Sequence, residues 1–241
     1  MIMKKQIIYI STILMSGWIL LSACNNTGAT STLQAPIGMQ TENTAGGETT
    51  TTGTSADAKT KITNDLLAAF KGETTASAKY AAYSKKAEQE GFHQIALLFK
   101  AASAAEKIHA NNHKTVLEDA GTKVGAINPE FTVKSTKENL LDAIKGESYE
   151  ASTMYPEFLK DADAAGNQMA LLTFNYAFKT EKKHRVLYEN ALAALESNNV
   201  KSVSSVYYVC PTCGNTYEAD PSSRCGICMT SSEKYVKISS L

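Results

Sequence analysis

The residues whose types and spacing first suggest chemistry are two copies of a Glu-x-x-His pair. They are Glu106 with His109 and Glu181 with His184, in matching register along the chain. Residues three apart in an α-helix lie on one face, so each pair can offer a carboxylate and an imidazole to the same metal ion. A single pair of this kind is more often a solvated surface feature, but its repetition favours a metal site.

Two further glutamates lie in matching segments, Glu73 in "AFKGET" at 69–74 and Glu147 in "AIKGES" at 143–148. Their neighbours three and four positions away are mostly apolar, so these carboxylates are expected on a buried face. Burying ionised carboxylates without partners is costly, and close carboxylates raise each other's pKa. One Glu from each of two helices, with Glu-x-x-His from each of the other two, is the ligand set of di-iron carboxylate bundles. Iron is preferred, although zinc or manganese could occupy the same ligands.

The two copies differ at one position and carry one further histidine. Glu150 follows Glu147 by one turn, whereas Ala76 stands at the equivalent place in the first copy. An additional carboxylate here would serve one metal alone, and the residue could equally lie on the surface. His113 follows His109 by one turn and is expected to lie beyond the ligands or at the bundle end.

Four cysteines lie close together near the C-terminus, as Cys-x2-Cys at 210–213 and again at 225–228. Two such turns can converge on one tetrahedral metal, and a set of four sulfurs suits iron or zinc. The alternative is a pair of disulfides, which an extracytoplasmic location would favour. The segment 205–241 is too short to fold on its own hydrophobic core, so a metal staple is expected.

The elements that must position these residues are four helices. Apolar residues recur at steps of three and four from Lys59 to Ser197, which is the helical period. Breaks at Gly91 and Gly166, and a longer one over 121–135, predict two hairpins in a bundle over 59–198. Pro156 should kink the third helix. Equivalent residues of the two copies are 74 positions apart at Glu73 and Glu147 but 75 apart at Glu106 and Glu181. The matching segments 91–99 and 166–174 suggest that the one-residue gap lies there.

The N-terminus has the features of a targeting segment. Lys4 and Lys5 precede an apolar run over 7–21 that ends in Leu-Ser-Ala-Cys, a pattern typical of a secretory leader over 1–23. The ending resembles the lipobox of bacterial lipoproteins, which predicts acylation of Cys24 and anchoring to the cell membrane outside the cytoplasm. An uncleaved membrane helix is the alternative, but the run is short for a span of about 20 residues. Residues 24–58, poor in large apolar side chains, are predicted to be a linker.

The motifs "KGETTASAKY", "AAEKIH", "KGESYEASTMYPEF" and "KTEKKH", together with the cysteine turns, resemble the rubrerythrin family. The resemblance implies an all-α four-helix ferritin-like bundle followed by a small rubredoxin-like, metal-stapled domain of strands and loops. It also implies that His109 exchanges with Glu150 as ligand when the oxidation state changes, and that tyrosines hydrogen-bond near the site. The implied residues are Glu73, Glu106, His109, Glu147, Glu150, Glu181 and His184 around two irons, Tyr80 and Tyr155 beside them, and Cys210, Cys213, Cys225 and Cys228 around a third iron.

The same resemblance implies a non-haem di-iron peroxidase that reduces hydrogen peroxide to water. Electrons would come from a donor protein or reductase through the Fe(Cys)4 centre. A homodimer is also implied, in which the cysteine domain of one subunit approaches the di-iron site of the other. The alternatives are a ferritin-like protein that oxidises or stores iron, and a non-catalytic surface lipoprotein with structural zinc. The balance of 24 basic and 24 acidic residues gives no basic excess for nucleic-acid binding.

Overall fold

The structure, a computed structural model, describes residues 52–241, with side chains from Ala56 onward. The predicted leader over 1–23, the predicted lipidation site Cys24 and most of the predicted linker over 24–58 lie outside the described residues. These assignments therefore stay predictions. Within the described part of the chain, no helix is both long enough and apolar enough to cross a membrane.

The helices form two antiparallel hairpins, as the sequence predicts. Helix α1 begins at Thr52, inside the segment predicted to be a linker, because helix-favouring residues such as Ala56 and Ala58 precede the bundle. The third rod of the bundle is continuous but consists of α3, a π-helix and α4. The elements are α1 Thr52–Gln89, α2 His93–Asp119, α3 Thr136–Tyr149, the π-helix Glu150–Met154, α4 Tyr155–Ala164 and α5 Gln168–Glu196.

The two hairpin turns are built alike. Gly91 and Gly166 have φ values of +83° and +64°, a backbone region that favours glycine. Each ends its helix and lets the chain reverse, so that α2 begins at His93 and α5 at Gln168. Both helices therefore start at equivalent positions of the two copies. The segments 91–99 and 166–174 align with each other without a gap. The expected position of that gap was wrong.

The additional residue of the second copy lies in the π-helix Glu150–Met154. A π-turn holds one more residue than an α-turn, which changes the offset from 74 before it to 75 after it. Pro156, where the sequence predicts a kink, stands at the start of α4, directly after the π-helix. Its missing N–H removes one helical hydrogen bond at that place.

The core of the bundle is divided into two apolar clusters. One contains Tyr80, Phe99, Tyr188 and Leu140, and the other contains Ile62, Leu66, Tyr155, Phe158 and Phe174. Along each helix the candidate metal ligands fall between the residues of these two clusters. A polar layer is thus closed off by packed side chains on both sides, which keeps water from it.

The C-terminal segment is a three-stranded antiparallel sheet of order β2-β1-β3. Strand β1 (Tyr207–Val209) pairs with β2 (Thr216–Glu218) and with β3 (Val236–Ile238). Tyr207 and Val209 are fully buried and belong to the same apolar cluster as α1 and α2 of the bundle. The small domain is therefore packed onto the helices of its own chain.

Candidate metal centres

Six buried side chains from four helices meet in the polar layer. The ligand atoms of one group lie within 4.8 Å of one another, and so do those of a second group. Both groups include Glu106 and Glu181, so these carboxylates lie between two possible ion positions. The groups are Glu73, Glu106, His109 and Glu181, and then Glu106, Glu147, Glu181 and His184.

The two histidines present the same nitrogen to this layer. Nδ1 of His109 lies 2.8 Å from Oε2 of Glu106 and 2.8 Å from Oε1 of Glu181. Nδ1 of His184 lies 3.0 Å from Oε1 of Glu106 and 2.9 Å from Oε2 of Glu181. Each carboxylate therefore directs one oxygen toward each imidazole, which is the arrangement expected of two bridging ligands.

Apart from the contacts with histidine Nδ1 just described, several buried oxygens of this layer have no hydrogen-bond partner among the described residues. They include Oε2 of Glu73, both oxygens of Glu106, Oε2 of Glu147 and Oε1 of Glu181. Such groups are rare in folded proteins because an unpaired buried oxygen costs about 1–3 kcal/mol. Two divalent cations would satisfy these oxygens and neutralise the carboxylates, so the residues present fit a two-metal site.

The pKa shifts indicate the same need for cations. Burial and the charge of Glu181 raise the pKa of Glu73 and of Glu147 well above the ordinary value. Burial favours a raised pKa for Glu181 too, but the nearby His109 and His184 hold it below its ordinary range. Nearby carboxylates outweigh burial for both histidines, raising the pKa of His109 and bringing that of His184 to about 9.

Each tyrosine identified by the resemblance donates a hydrogen bond to a carboxylate of the other hairpin. The Tyr80 hydroxyl lies 2.6 Å from Oε1 of Glu147, and the Tyr155 hydroxyl donates to Oε1 of Glu73. Both tyrosines are buried. These bonds hold one oxygen of each glutamate and leave the other directed at the metal layer.

His113 lies outside the two ligand groups, as expected. Its Nε2 is 3.1 Å from the hydroxyl of Tyr155, and its Nδ1 is 3.0 Å from the hydroxyl of Thr173. Burial lowers the pKa of His113 to about 3, so the ring is neutral. Because Tyr155 gives its own hydrogen to Glu73, His113 donates from Nε2 and accepts from Thr173 at Nδ1.

Glu150 differs from the other carboxylates. It is half-buried, begins the π-helix and is not a member of either ligand group. Together with Tyr80, Gly72 and Gly146 it lines a surface pocket of 370 Å³. Burial and the charge of Glu181 raise the pKa of Glu150 well above its ordinary value. It therefore stands where the polar layer meets the exterior.

The four C-terminal cysteines converge as the sequence predicts. Sγ of Cys210 lies 3.4 Å from Sγ of Cys228, and Sγ of Cys213 lies 3.5 Å from Sγ of Cys225. All four are free thiols, so the disulfide alternative is not found. Four sulfurs bound to one ion at about 2.3 Å would lie roughly 3.8 Å apart, which is close to these separations. The cluster fits iron or zinc.

The two candidate centres are joined by direct contacts within this chain. The main-chain oxygen of Cys213 lies 3.0 Å from Nε2 of His109, and the hydroxyl of Thr216 lies 2.9 Å from Nε2 of His184. Sequence reasoning missed Gly214, Thr216 and the other contact residues of this segment. Their residue types and spacing give no sign of this contact, because it arises only when β1 packs on α2.

The fold and these two clusters define a ferritin-like four-helix bundle that carries a second, four-cysteine site in a small C-terminal domain. The profile of the family described as rubrerythrin matches residues 64–192. This chain therefore belongs to the rubrerythrin family.

Individual relatives agree with this assignment. Rubrerythrin-2 of Clostridium acetobutylicum is 34% identical over 182 residues, which cover 73% of this chain and 97% of the relative. Nigerythrin of Nitratidesulfovibrio vulgaris is 34% identical over 179 residues, or 72% of this chain and 86% of the relative. A solved structure of fully reduced nigerythrin aligns with a TM-score of 0.67 at 31% identity, covering 73% of this chain and 86% of that one. Bacterioferritin from Rhodobacter capsulatus, at 18% identity and a TM-score of 0.53 over 68% of this chain and 98% of that one, shows the fold alone.

Proposed function

We propose that this chain reduces hydrogen peroxide to water at a non-haem di-iron site and so serves in oxidative-stress defence. The main support is the pair of overlapping buried ligand groups that share Glu106 and Glu181. Filled with iron, the site supplies the redox chemistry by which hydrogen peroxide takes up two electrons and two protons and leaves as two waters. Family membership supports an oxidoreductase of this kind.

The protein's own residues contribute geometry and exclusion of water. Glu73 with His109 would hold one ion and Glu147 with His184 the other, and Glu106 and Glu181 would contribute to both ligand sets. Tyr155 and Tyr80 fix the carboxylates of Glu73 and Glu147 by hydrogen bonds. Ligands held in this way need little rearrangement during turnover.

The pocket beside Glu150 offers an entry route for a small oxidant. Its lining includes the small residues Gly72, Ala76 and Gly146. The position of Glu150 between this pocket and the ligand groups suits the exchange with His109 that the family resemblance implies. The pocket volume of 370 Å³ has room for a molecule as small as hydrogen peroxide.

Electrons would reach the bundle one at a time through iron held by Cys210, Cys213, Cys225 and Cys228, supplied by a donor protein or reductase. The contacts of Cys213 and Thr216 with the two metal-facing histidines support this relay. A homodimer remains part of the proposal, although this chain brings its own cysteine domain onto its own bundle. Zinc at the thiolates would make the small domain structural instead.

The protein is further proposed to be a lipoprotein that is anchored to the cell membrane outside the cytoplasm through Cys24. The support is the sequence alone: Lys4 and Lys5, the apolar run over 7–21 and the Leu-Ser-Ala-Cys ending. A mass measurement of the native N-terminus should find acylated Cys24 as the first residue. An unmodified or uncleaved N-terminus would contradict the anchor but not the peroxidase.

Metal analysis and a visible spectrum of the purified protein test the function most directly. Two irons in the bundle, a third at the thiolates and thiolate-to-iron bands support the peroxidase. Iron uptake without peroxide turnover would favour the storage alternative. Zinc at the thiolates with a metal-free bundle would favour the non-catalytic lipoprotein.

Two variants separate the centres. Glu181→Ala should abolish peroxide reduction while the thiolate-iron colour survives, because Glu181 belongs only to the bundle site. Cys213→Ser should remove the colour and stall the supply of electrons. Unchanged steady-state turnover in Cys213→Ser would contradict the relay.

A further inference from the structure

We propose that the four-cysteine domain also controls the bundle of its own chain. The segment Cys213–Thr216 fixes the hydrogen positions of both metal-facing histidines and thereby sets the metal affinity of the bundle. This inference rests on the proposed function, because it takes the bundle to hold two metal ions. It concerns Gly214 and Thr216 as positioning residues, since neither lies among the candidate ligands.

The first contact determines the state of His109. The main-chain oxygen of Cys213, 3.0 Å from Nε2, can only accept a hydrogen bond, so Nε2 must carry the hydrogen. In the neutral ring, Nδ1 then keeps a free lone pair. That atom is the one that faces Glu106 and Glu181, and it is the atom a metal would need.

The second contact does the same for His184. The hydroxyl of Thr216 lies 3.1 Å from the main-chain oxygen of Gly214, to which it donates. The Thr216 oxygen is therefore an acceptor toward Nε2 of His184, 2.9 Å away. In the neutral ring, Nδ1 of His184 again keeps the lone pair that a metal would need. Outer hydrogen bonds of this kind orient metal-binding histidines and raise their basicity.

The close approach depends on the missing side chain of Gly214. A Cβ at this position would lie 2.4 Å from Nε2 and 2.8 Å from Cδ2 of His109. Carbon atoms in contact normally keep about 3.5–4.0 Å, so even alanine would force the segment away from α2 by about 1 Å or more. The neighbouring hydrogen bond from His109 to Cys213 would be lost or lengthened.

The other cysteine turn shows that the turn itself does not require glycine. Gly214 follows Cys213 with φ +76°, and Met229 follows Cys228 with φ +64°. Their N–H groups make matching bonds, from Gly214 to Cys210 at 3.0 Å and from Met229 to Cys225 at 2.9 Å. Met229 carries a full side chain and is 60% exposed. The contact with His109 therefore demands glycine at 214, beyond what the metal-binding turn needs.

Two further bonds hold the segment in place from both sides. Nδ2 of Asn112 on α2 donates to the main-chain oxygen of Thr212 at 2.9 Å. Nζ of Lys183 on α5 donates to Oδ1 of Asn215 at 2.7 Å. The segment is thus attached to α2 and α5, the two helices that carry the Glu-x-x-His pairs.

The test measures Mn²⁺ binding to the bundle of the full chain with zinc at the thiolates, because thiolates do not favour Mn²⁺ whereas carboxylate and imidazole accept it. Thr216→Val removes the acceptor and keeps the shape, while Thr216→Ser keeps the hydroxyl. Thr216→Val should weaken Mn²⁺ binding by about 10-fold or more, within the range for lost outer hydrogen bonds. Thr216→Ser should bind nearly as the wild type does.

Gly214→Ala should weaken Mn²⁺ binding at least as much, while Met229→Ala, at the equivalent position of the other turn, should leave it unchanged. Gly91→Ala controls for backbone strain, since Gly91 has φ +83° and nothing within 4 Å of a new Cβ. Wild-type affinity in both Thr216→Val and Gly214→Ala, with zinc retained, would overturn the inference. If Gly214→Ala loses zinc, the comparison of Thr216→Val with Thr216→Ser alone tests the inference.

Co-expression separates a contact within one chain from a contact between chains. Thr216→Val chains are expressed with chains that have Thr216 but lack Glu106 and Glu181, the two carboxylates common to both ligand groups, and Mn²⁺ affinity is measured on the mixture. Continued weak binding is expected. Recovery of tight binding would show that the partner's segment acts instead and would overturn the claim for one chain. Wild-type protein that binds no Mn²⁺ in the bundle would instead contradict the proposed function.

Discussion

The first hairpin (α1 with α2) and the second hairpin (α3 to α5) carry the same candidate ligands. The residues around those ligands differ between the two hairpins. Glu73 and Glu147 occupy equivalent places, and each accepts a hydrogen bond from a tyrosine of the opposite hairpin. The second hairpin alone has the π-helix and Glu150, where the first has an unbroken α-helix and Ala76. The shared part defines two candidate metal positions, and the difference makes their surroundings inequivalent.

The tyrosines show the same partial symmetry. Tyr155 is supported by His113, while Tyr80 packs edge-on against Tyr188 with ring centroids 5.5 Å apart. His113 and Tyr188 occupy equivalent positions of the two copies. The hydroxyl of Tyr188 has no hydrogen-bond partner among the described residues. At one end of the site the tyrosine is therefore hydrogen-bonded to a histidine, and at the other end it packs against a second tyrosine.

The largest effect should come from removing either equivalent carboxylate. Glu73→Ala and Glu147→Ala should each lose one of the two bundle metals and lower peroxide reduction by more than roughly 100-fold, since a ligand matters more than its outer hydrogen bonds. Metal content and steady-state rates measure this. Loss of both metals in one variant and of none in the other would break the equivalence of the halves.

Glu150→Ala tests the difference between the halves. Both metals should remain bound, because Glu150 lies outside the two ligand groups, while peroxide reduction should fall by about 10-fold, as for a residue that tunes a metal site. The double variant Ala76→Glu with Glu150→Ala places the carboxylate in the first hairpin. It should not restore activity, because α1 lacks the π-turn that presents Glu150. Restored activity would show that the π-helix has no part in the asymmetry.

Removal of the metals should make stability depend on pH. The raised pKa values of Glu73, Glu147, His109 and His184 mean that these groups stabilise the fold while protonated. That contribution is lost as pH rises through their folded pKa values, whereas the lowered pKa of Glu181 matters only below its ordinary value of 4.5. The melting temperature in chelator should therefore fall between about pH 5 and 9.

Saturating Mn²⁺ should remove most of the dependence of the melting temperature on pH, because bound cations stabilise the ionised carboxylates. Glu73→Gln and Glu147→Gln should each reduce the slope of the metal-free protein by similar amounts, since glutamine does not titrate. A slope of opposite sign in chelator, or unequal effects of the two variants, would contradict the equivalent electrostatics of the halves.

The smallest effects concern the tyrosines. Tyr155→Phe should destabilise the metal-loaded protein by about 1.5–3 kcal/mol, as expected for a hydrogen bond to a charged group, and should also leave His113 without its partner. Tyr80→Phe should cost less, because no such relay lies behind Tyr80. Tyr188→Phe, the control, should not destabilise the protein, because the hydroxyl that it removes has no hydrogen-bond partner among the described residues. Chemical denaturation would measure all three.

The convergence of the candidate ligands was predictable from sequence because helical periodicity decides which side chains share a face. Glu106 and His109 could be assigned to one site without knowledge of the fold, and the cysteine spacing indicated a metal in the same way. The π-helix could not be located, since one additional residue in an otherwise helical pattern can be placed at several positions. The contacts of Gly214 and Thr216 were also beyond reach, because they depend on how two domains pack.

The crossed hydrogen bonds, Tyr80 to Glu147 and Tyr155 to Glu73, have a consequence for the origin of the fold. Each hairpin supplies what the other lacks, so a single ancestral hairpin could have completed its site only by pairing with a copy of itself about a twofold axis. Two such units within one polypeptide can each change without the other. The Glu150 side chain and its π-turn are a change that a symmetric pair could not have confined to one side.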